Sequence, residues 1–194
     1  MRRFWLFVIF LGPIAFANPP SKYTVPTISM EMIWCPPGTF SMGSPATEKG
    51  RRSYVYVRAG DETQHQVTLT NGFFLGKFEL NQAQYNTVMK FNPSYYTDNG
   101  KPVESVSWSN AISFCEQITQ LEQSENRLPK GWAFTLPTEA EWEYACRAGT
   151  TSPYSWGETI TTSLANYASN GLDQTVAIGS YSANPWGFHD MHGN

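Results

Sequence analysis

Three cysteines in 194 residues are too few, and too odd in number, for a disulfide-built scaffold. Charge is sparse at 15% of residues, and its basic share is the smaller: 13 Lys and Arg against 16 Asp and Glu give a net charge of −3. With no basic stripe, nucleic-acid binding is excluded as a function class. No apolar run reaches the roughly 20 residues of a membrane-spanning helix. A Gly-rich phosphate loop is missing, and "GSYSA" lacks the surroundings of a nucleophile elbow. What is plentiful is turn-forming and aromatic: 15 Gly, 13 Pro and 15% aromatics. That composition predicts one α+β domain with more loop than usual.

The N-terminus, "MRRFWLFVIFLGPIAFANPP", has two arginines, an apolar run from Phe4 to Ala17 and small residues at Ala15 and Ala17. It reads as an export leader over residues 1–17, cleaved on the general secretory route, with no membrane span left afterwards. Its loss removes two of the 13 basic residues and leaves 11 − 16 = −5. A linker over 18–29 and a domain over 30–194 follow. The expected location is periplasmic or extracellular, an oxidising place where the odd count of Cys35, Cys115 and Cys146 needs an explanation.

Along the domain, "MEMIWC" reads as a strand that enters a hairpin with Thr39 to Met42, and Tyr54 to Val57 as a small strand. Val67 and Leu69 alternate, Asn71-Gly72 is a turn signal, and Phe73 to Glu79 resume a strand. Asn81 with Gln84 predicts a capped helix carrying Tyr85, Val88 and Met89 on one face. Ala111, Phe114, Cys115, Ile118 and Leu121 predict a helix over 109–123 capped by Ser109. A third helix starts at the Thr138/Glu141 capping box, stops at Gly149, and turns Trp142, Ala145 and Cys146 to the core.

Several side chains admit chemistry as well as structure. Glu139, Glu141 and Glu143 suit the positive end of that helix, and less readily a general acid and base. His189, Asp190 and His192 are short of the ligands a tetrahedral zinc wants, so a structural turn is the better reading. Trp108, Trp156 and Trp186 suit stacking on a ligand or packing in a core. Cys115 lies on an apolar helix face, which argues for burial over nucleophilic use.

"PVESVSWSNAISFC", "LPTEAEWEYACRAGT", "YSWGE", "ANYASN" and "NPWGFHDMHGN" together closely resemble the formylglycine-generating enzyme (sulfatase-modifying factor) family. "MGSPATEKGR", "DETQHQVTLT" and "FFLGKFELNQAQY" resemble its opening segments in the same order. The resemblance runs from Met32 to Asn194 and implies a C-type-lectin-like fold with little regular secondary structure. It also implies an oxidase that turns a cysteine in a Cys-x-Pro-x-Arg segment of an unfolded sulfatase polypeptide into Cα-formylglycine, using oxygen and copper(I) held by two cysteines.

None of the three cysteines matches that copper pair, which the resemblance places beyond Asn194, so the domain reads as incomplete, with no catalytic residue in this chain. Cys115 and Cys146 resemble positions that form disulfides with cysteines of the absent part. Calcium is the other ligand implied: Asn166, Tyr167, Asn170 and Leu172 at one site, Asp190 and the Gly193 carbonyl at a second. Asn170 stands where the family has an acid, and Asn166 and Asn170-Gly171 read equally well as turn residues. The alternative to the oxidase is a non-catalytic, lectin-like binding or scaffold module. Iron-dependent sulfoxide synthases, which share the domain, are a third reading.

Overall fold

Phe73-Phe74-Leu75 has no polar alternation because its strand is covered on both faces. In the computed structural model, which describes residues 9–11, 19–48, 62–167 and 171–194, these residues are at most 1% exposed. They belong to β6 (Phe73–Gly76), within a five-stranded sheet of order β2-β3-β6-β1-β7. Its other strands are β1 (Ile9–Leu11), β2 (Lys22–Val25), β3 (Met30–Cys35) and β7 (Ala133–Thr135), with every neighbouring pair antiparallel. Successive side chains leave a strand on opposite faces. Phe74 accordingly packs with Met32, Tyr85, Phe114, Ile118 and Phe134, whereas Phe73 and Leu75 pack with Cys35, Tyr144, Phe188 and Met191.

The first face is covered by α1 (Gln82–Met89) and α2 (Trp108–Ser124), where Tyr85 stacks on Phe114 with centroids 5.6 Å apart. The second is covered by α3 (Glu139–Arg147) and the C-terminal segment. Each fully buried large apolar side chain contributes about 1.5–3 kcal/mol. The α+β, loop-rich architecture is the one the composition predicts. Among the described residues no helix is long and apolar enough to cross a membrane.

The capping boxes at Asn81/Gln84 and Thr138/Glu141 are both present. Other expectations need correction. Ser107, not Ser109, caps α2, its Oγ accepting from the Asn110 N–H at 3.1 Å. Leu121 is 40% exposed, and the buried residue on that turn is Glu122. Its carboxylate accepts from Arg127 Nε at 2.8 Å and from the Thr27 amide at 3.1 Å. Burial alone would raise the Glu122 pKa, but these hydrogen bonds outweigh it and hold the carboxyl below its ordinary value.

The expected hairpin of β3 with Thr39 to Met42 does not form. After Pro36-Pro37 the chain leaves the large sheet, and β4 (Gly38–Met42) pairs with β5 (His65–Leu69) in a separate two-stranded sheet. Asn71-Gly72 then returns it to the large sheet as β6. Strand β2 lies inside the expected linker. The small strand at Tyr54 to Val57 falls outside the described residues, as does most of the expected leader, of which Ile9–Leu11 is described, as β1.

Candidate functional site

The motif segments that lie far apart in sequence meet around the last eleven residues. Asn184 anchors them first. Its Nδ2 donates to the Ala145 and Cys146 carbonyls at 2.8 and 3.1 Å, two groups that the end of α3 leaves without helical partners. Its Oδ1 accepts from the Trp186 and Phe188 amides, both at 3.1 Å, which shapes the turn around Gly187. The His189 amide then donates to the Lys77 carbonyl at 3.0 Å, tying the segment to the end of β6.

His192 sits against "YSWGE". Its Nε2 accepts from the Ser155 amide at 3.0 Å, which places the ring proton on Nδ1. The Trp156 and Tyr154 rings stand edge-on to it, with centroids at 4.6 and 5.4 Å. The Cys146 thiol lies 3.7 Å from Nε2 and 3.8 Å from the Met191 carbonyl. Burial pushes the Cys146 thiol up to about 12, and burial with the nearby Arg147 charge pulls His192 down to about 4. Both are neutral at pH 7, so the pair is not a thiolate–imidazolium nucleophile.

Beside it lies a cavity of about 220 Å³ bordered by Trp142, Glu143, Arg147, Ser155 and His192. Glu143 is neither a cap nor a free acid: its Oε1 accepts from Arg147 Nε and from the Gly43 amide, both at 2.8 Å. Gly43, at φ +86°, leaves no room for a Cβ against the Glu62 and Thr63 carbonyls, 2.8 and 2.9 Å away. Glu141 belongs to the capping box. Glu141 and Glu143 thus serve structure, and Glu139 lies exposed in the first turn of α3.

A second cluster is polar and buried. Asn194 Nδ2 donates to Glu79 Oε2 at 2.9 Å and to the Val176 carbonyl at 3.2 Å, and its Oδ1 accepts from the Val176 amide at 2.8 Å. Glu79 is 1% exposed, and its Oε1 has no hydrogen-bond partner among the described residues. Burial, reinforced by the charge of Asp190 and opposed by the Asn194 hydrogen bond, raises the Glu79 pKa well above the ordinary value. Glu79 also borders a cavity of about 180 Å³ with Ser29, Asn81 and Gln84. Sequence reasoning placed Glu79 only at a strand end. The signal available was an acid within the apolar stretch "FFLGKFEL".

Of the calcium candidates, Asn166 and Gly193 meet directly, the Asn166 amide donating to the Gly193 carbonyl at 3.1 Å. Asn166 Nδ2 donates to the Gln174 carbonyl at 2.8 Å. Asp190, at φ +58°, accepts from the Gly179 and Tyr181 amides, and Leu172 is exposed. Tyr167 follows Asn166, while Asn170 lies outside the described residues. The Gly193 carbonyl and the Asp190 carboxylate are thus taken up by protein N–H groups, an arrangement that does not fit a calcium site at that pair.

Copper does not fit either. Cys35, Cys115 and Cys146 are free and buried, and burial raises each thiol. No group of three or more His, Cys, Asp or Glu among the described residues is arranged to hold a metal. His189, the remaining member of the zinc candidates, instead holds the Tyr181 carbonyl through Nδ1 at 2.8 Å. Trp108 is 73% exposed, whereas Trp186 packs edge-on to Tyr144.

Residues 16–194 match the model of the sulfatase-modifying factor enzyme 1-like domain. The chain is 28% identical to the chaperone protein LppX of Paenibacillus barcinonensis, over 99% of its own length and 79% of that protein's. It is 34% identical to the formylglycine-generating enzyme of Mycobacterium tuberculosis, over 49% of its own length and 31% of that enzyme's. In structure it is similar to PvdO from Pseudomonas aeruginosa, with a TM-score of 0.70, 24% identity and coverage of 92% of this chain and 73% of that one.

Proposed function

The chain belongs to the sulfatase-modifying factor enzyme 1-like family, and from that premise we propose that the full-length protein is exported and oxidises a sulfatase cysteine. The target is the cysteine of a Cys-x-Pro-x-Arg segment in an unfolded polypeptide, and the product is Cα-formylglycine. The observation that carries this reading is the family match over residues 16–194, supported by the identity to an enzyme of that name across half the chain. Copper(I), bound by a thiolate pair, would supply the oxygen chemistry.

The residues described here have another part: they hold the scaffold. Asn184 closes α3, and His192 and Asn194 fix the C-terminal segment against Tyr154, Trp156 and Glu79. The test is oxygen-dependent conversion of a Cys-x-Pro-x-Arg peptide by the copper-loaded full-length gene product, read by mass spectrometry. Conversion supports the oxidase, and an inert peptide with a correctly folded, copper-loaded protein sinks it.

A second reading is a non-catalytic binding or scaffold module in the same export compartment. One observation favours it: a relative named a chaperone matches 99% of the chain. Calcium at Asn166, Tyr167, Asn170, Leu172, Asp190 and Gly193 is a proposal that requires the Asp190 carboxylate and the Gly193 carbonyl to leave their present N–H donors. A calcium-dependent rise in melting temperature, absent in Asp190→Asn, would support it.

A further inference from the structure

The small sheet turns one face to the core and lends the other to a cavity. Alternation along its strands sends Phe40 and Leu69 inward and puts Thr39, Ser41 and Gln66 on the opposite face. Ser41 stands opposite Gln66 in the register, with Gln64 two residues further back. The end of α3 and the turn at Gly187 add Tyr144, Arg147 and Trp186 to the lining. The enclosed volume is about 390 Å³, larger than the cavities beside His192 and Glu79 and within the roughly 300–1,000 Å³ of ligand sites.

Three aromatic rings give the lining its shape. Tyr144 packs against Phe40 with centroids 5.2 Å apart and edge-on against Trp186 at 4.9 Å. Trp186 is half-buried, and its amide is tied to Asn184 Oδ1 at 3.1 Å, so the ring is held in place. Tyr144 is 8% exposed, yet its hydroxyl has no hydrogen-bond partner among the described residues. Gly38 makes room for it, since a Cβ there would collide with that oxygen. The Trp186 indole N–H likewise has no partner among the described residues. Unpaired polar groups in such places are costly, and both belong to residues that border the cavity.

Arg147 is the one charged residue among the described lining, and its charge is already met. Its Nε and Nη2 each lie 2.8 Å from Glu143 Oε1, and Nη2 donates to the Gly43 carbonyl at 2.7 Å. An anionic ligand thus finds no unbalanced positive charge, and a purely apolar one leaves the Tyr144 hydroxyl and the indole N–H unmet. A neutral ligand with hydroxyls at its rim and a C–H face satisfies both. Its hydroxyls exchange hydrogen bonds with glutamine amides, which donate and accept, and its C–H face packs on the negative face of an aromatic ring. We propose that the cavity between the β4–β5 sheet and the end of α3 is a binding site for a neutral saccharide, with Trp186 as the stacking ring and Tyr144, Gln64 and Gln66 as hydrogen-bonding groups. The site uses no thiol and stands independently of the oxidase reading.

The test uses the full chain and three neutral probes, maltotriose, cellotriose and chitotriose, with trigalacturonic acid as the charged counterpart. Calorimetry and saturation-transfer NMR should show saturable binding of at least one neutral trisaccharide, at one per chain, and no gain for the acid. Tyr144→Phe removes only the hydroxyl, and Gln66→Ala alters an exposed side chain, so both should keep the parent's melting temperature. Each should weaken the sugar about three- to tenfold, the effect of one lost hydrogen bond. Should Tyr144→Phe fail to fold, Gln66→Ala and Gln64→Ala decide the question from the exposed side.

Three results would overturn the proposal. The first is no saturable binding of any neutral trisaccharide, even at about 10 mM. The second is unchanged affinity in the folded variants, which would move the sugar to another surface. The third is tighter binding of the acid than of every neutral probe, which would make the cavity an anion site at Arg147.

Discussion

Asn194 and Glu79, 115 residues apart, are joined by a 2.9 Å hydrogen bond inside the protein, with Asn194 Nδ2 as donor. Because burial disfavours the charged form of Glu79, Glu79→Gln should be a mild change. Asn194→Ala is not mild, because it strips the Val176 amide and carbonyl as well. It should cost about 1–3 kcal/mol in urea unfolding.

The same buried carboxyl predicts a pH dependence. Its folded pKa lies above the ordinary 4.5, so the stability it supports is complete below that value and is lost as pH rises through the folded pKa. Unfolding midpoints recorded from pH 4.5 upward should fall in the parent and flatten in Glu79→Gln. Parallel slopes would refute a buried neutral carboxyl.

His192 acts in the opposite direction. Its folded pKa of about 4 lies below the ordinary 6.5, so the folded state resists protonation and stability is lost as pH falls from 6.5 towards 4. The loss has an upper limit of about 3 kcal/mol. Titration of the ring by NMR should give the low value directly, and His192→Asn should remove most of the acid-side slope.

Arg127→Ala leaves the Glu122 carboxylate buried with only Thr27, its amide and its hydroxyl, as partner. Because Arg127 itself is a third exposed, the urea midpoint should fall, but by less than for a fully buried pair. Arg127→Met combined with Glu122→Gln should recover part of it in a double-mutant cycle. Leu121→Ala, one residue earlier and exposed, should change stability by less than about 0.5 kcal/mol.

The thiols supply a rapid check on the packing. Cys35, Cys115 and Cys146 are all buried, with pKa values pushed upward. A thiol reagent at pH 8 should label none of them quickly in the folded chain and all of them in denaturant. Fast labelling of Cys146 in native buffer would contradict its place behind His192.

Helix starts were legible because a cap and its partner lie three residues apart, so Asn81/Gln84 and Thr138/Glu141 carry their geometry in the local sequence. The start of α2 was misplaced because Ser107 and Ser109 both precede the same apolar stripe. Burial of the exposed-looking Glu122 depends on Arg127 and Thr27, and the second of these is 95 residues away. The pairing of β4 with β5, rather than with β3, is likewise non-local: a turn signal states that the chain bends, not which strand it meets next. The family segments were legible as segments, but the seating of His192 edge-on to the stacked Tyr154 and Trp156 rings required the folded chain.

Asn184 gives helix α3 an ending that the ribosome delivers late. The carbonyl of Cys146 receives its partner from a side chain 38 residues downstream. Until those residues have left the ribosome or the export channel, α3 has its capping box and its Ala148 cap but not the partners of its Ala145 and Cys146 carbonyls. Only after "NPWGF" has emerged can the helix terminus, the turn at Gly187 and the lower layer of the core be completed together, which makes their assembly one late event in synthesis.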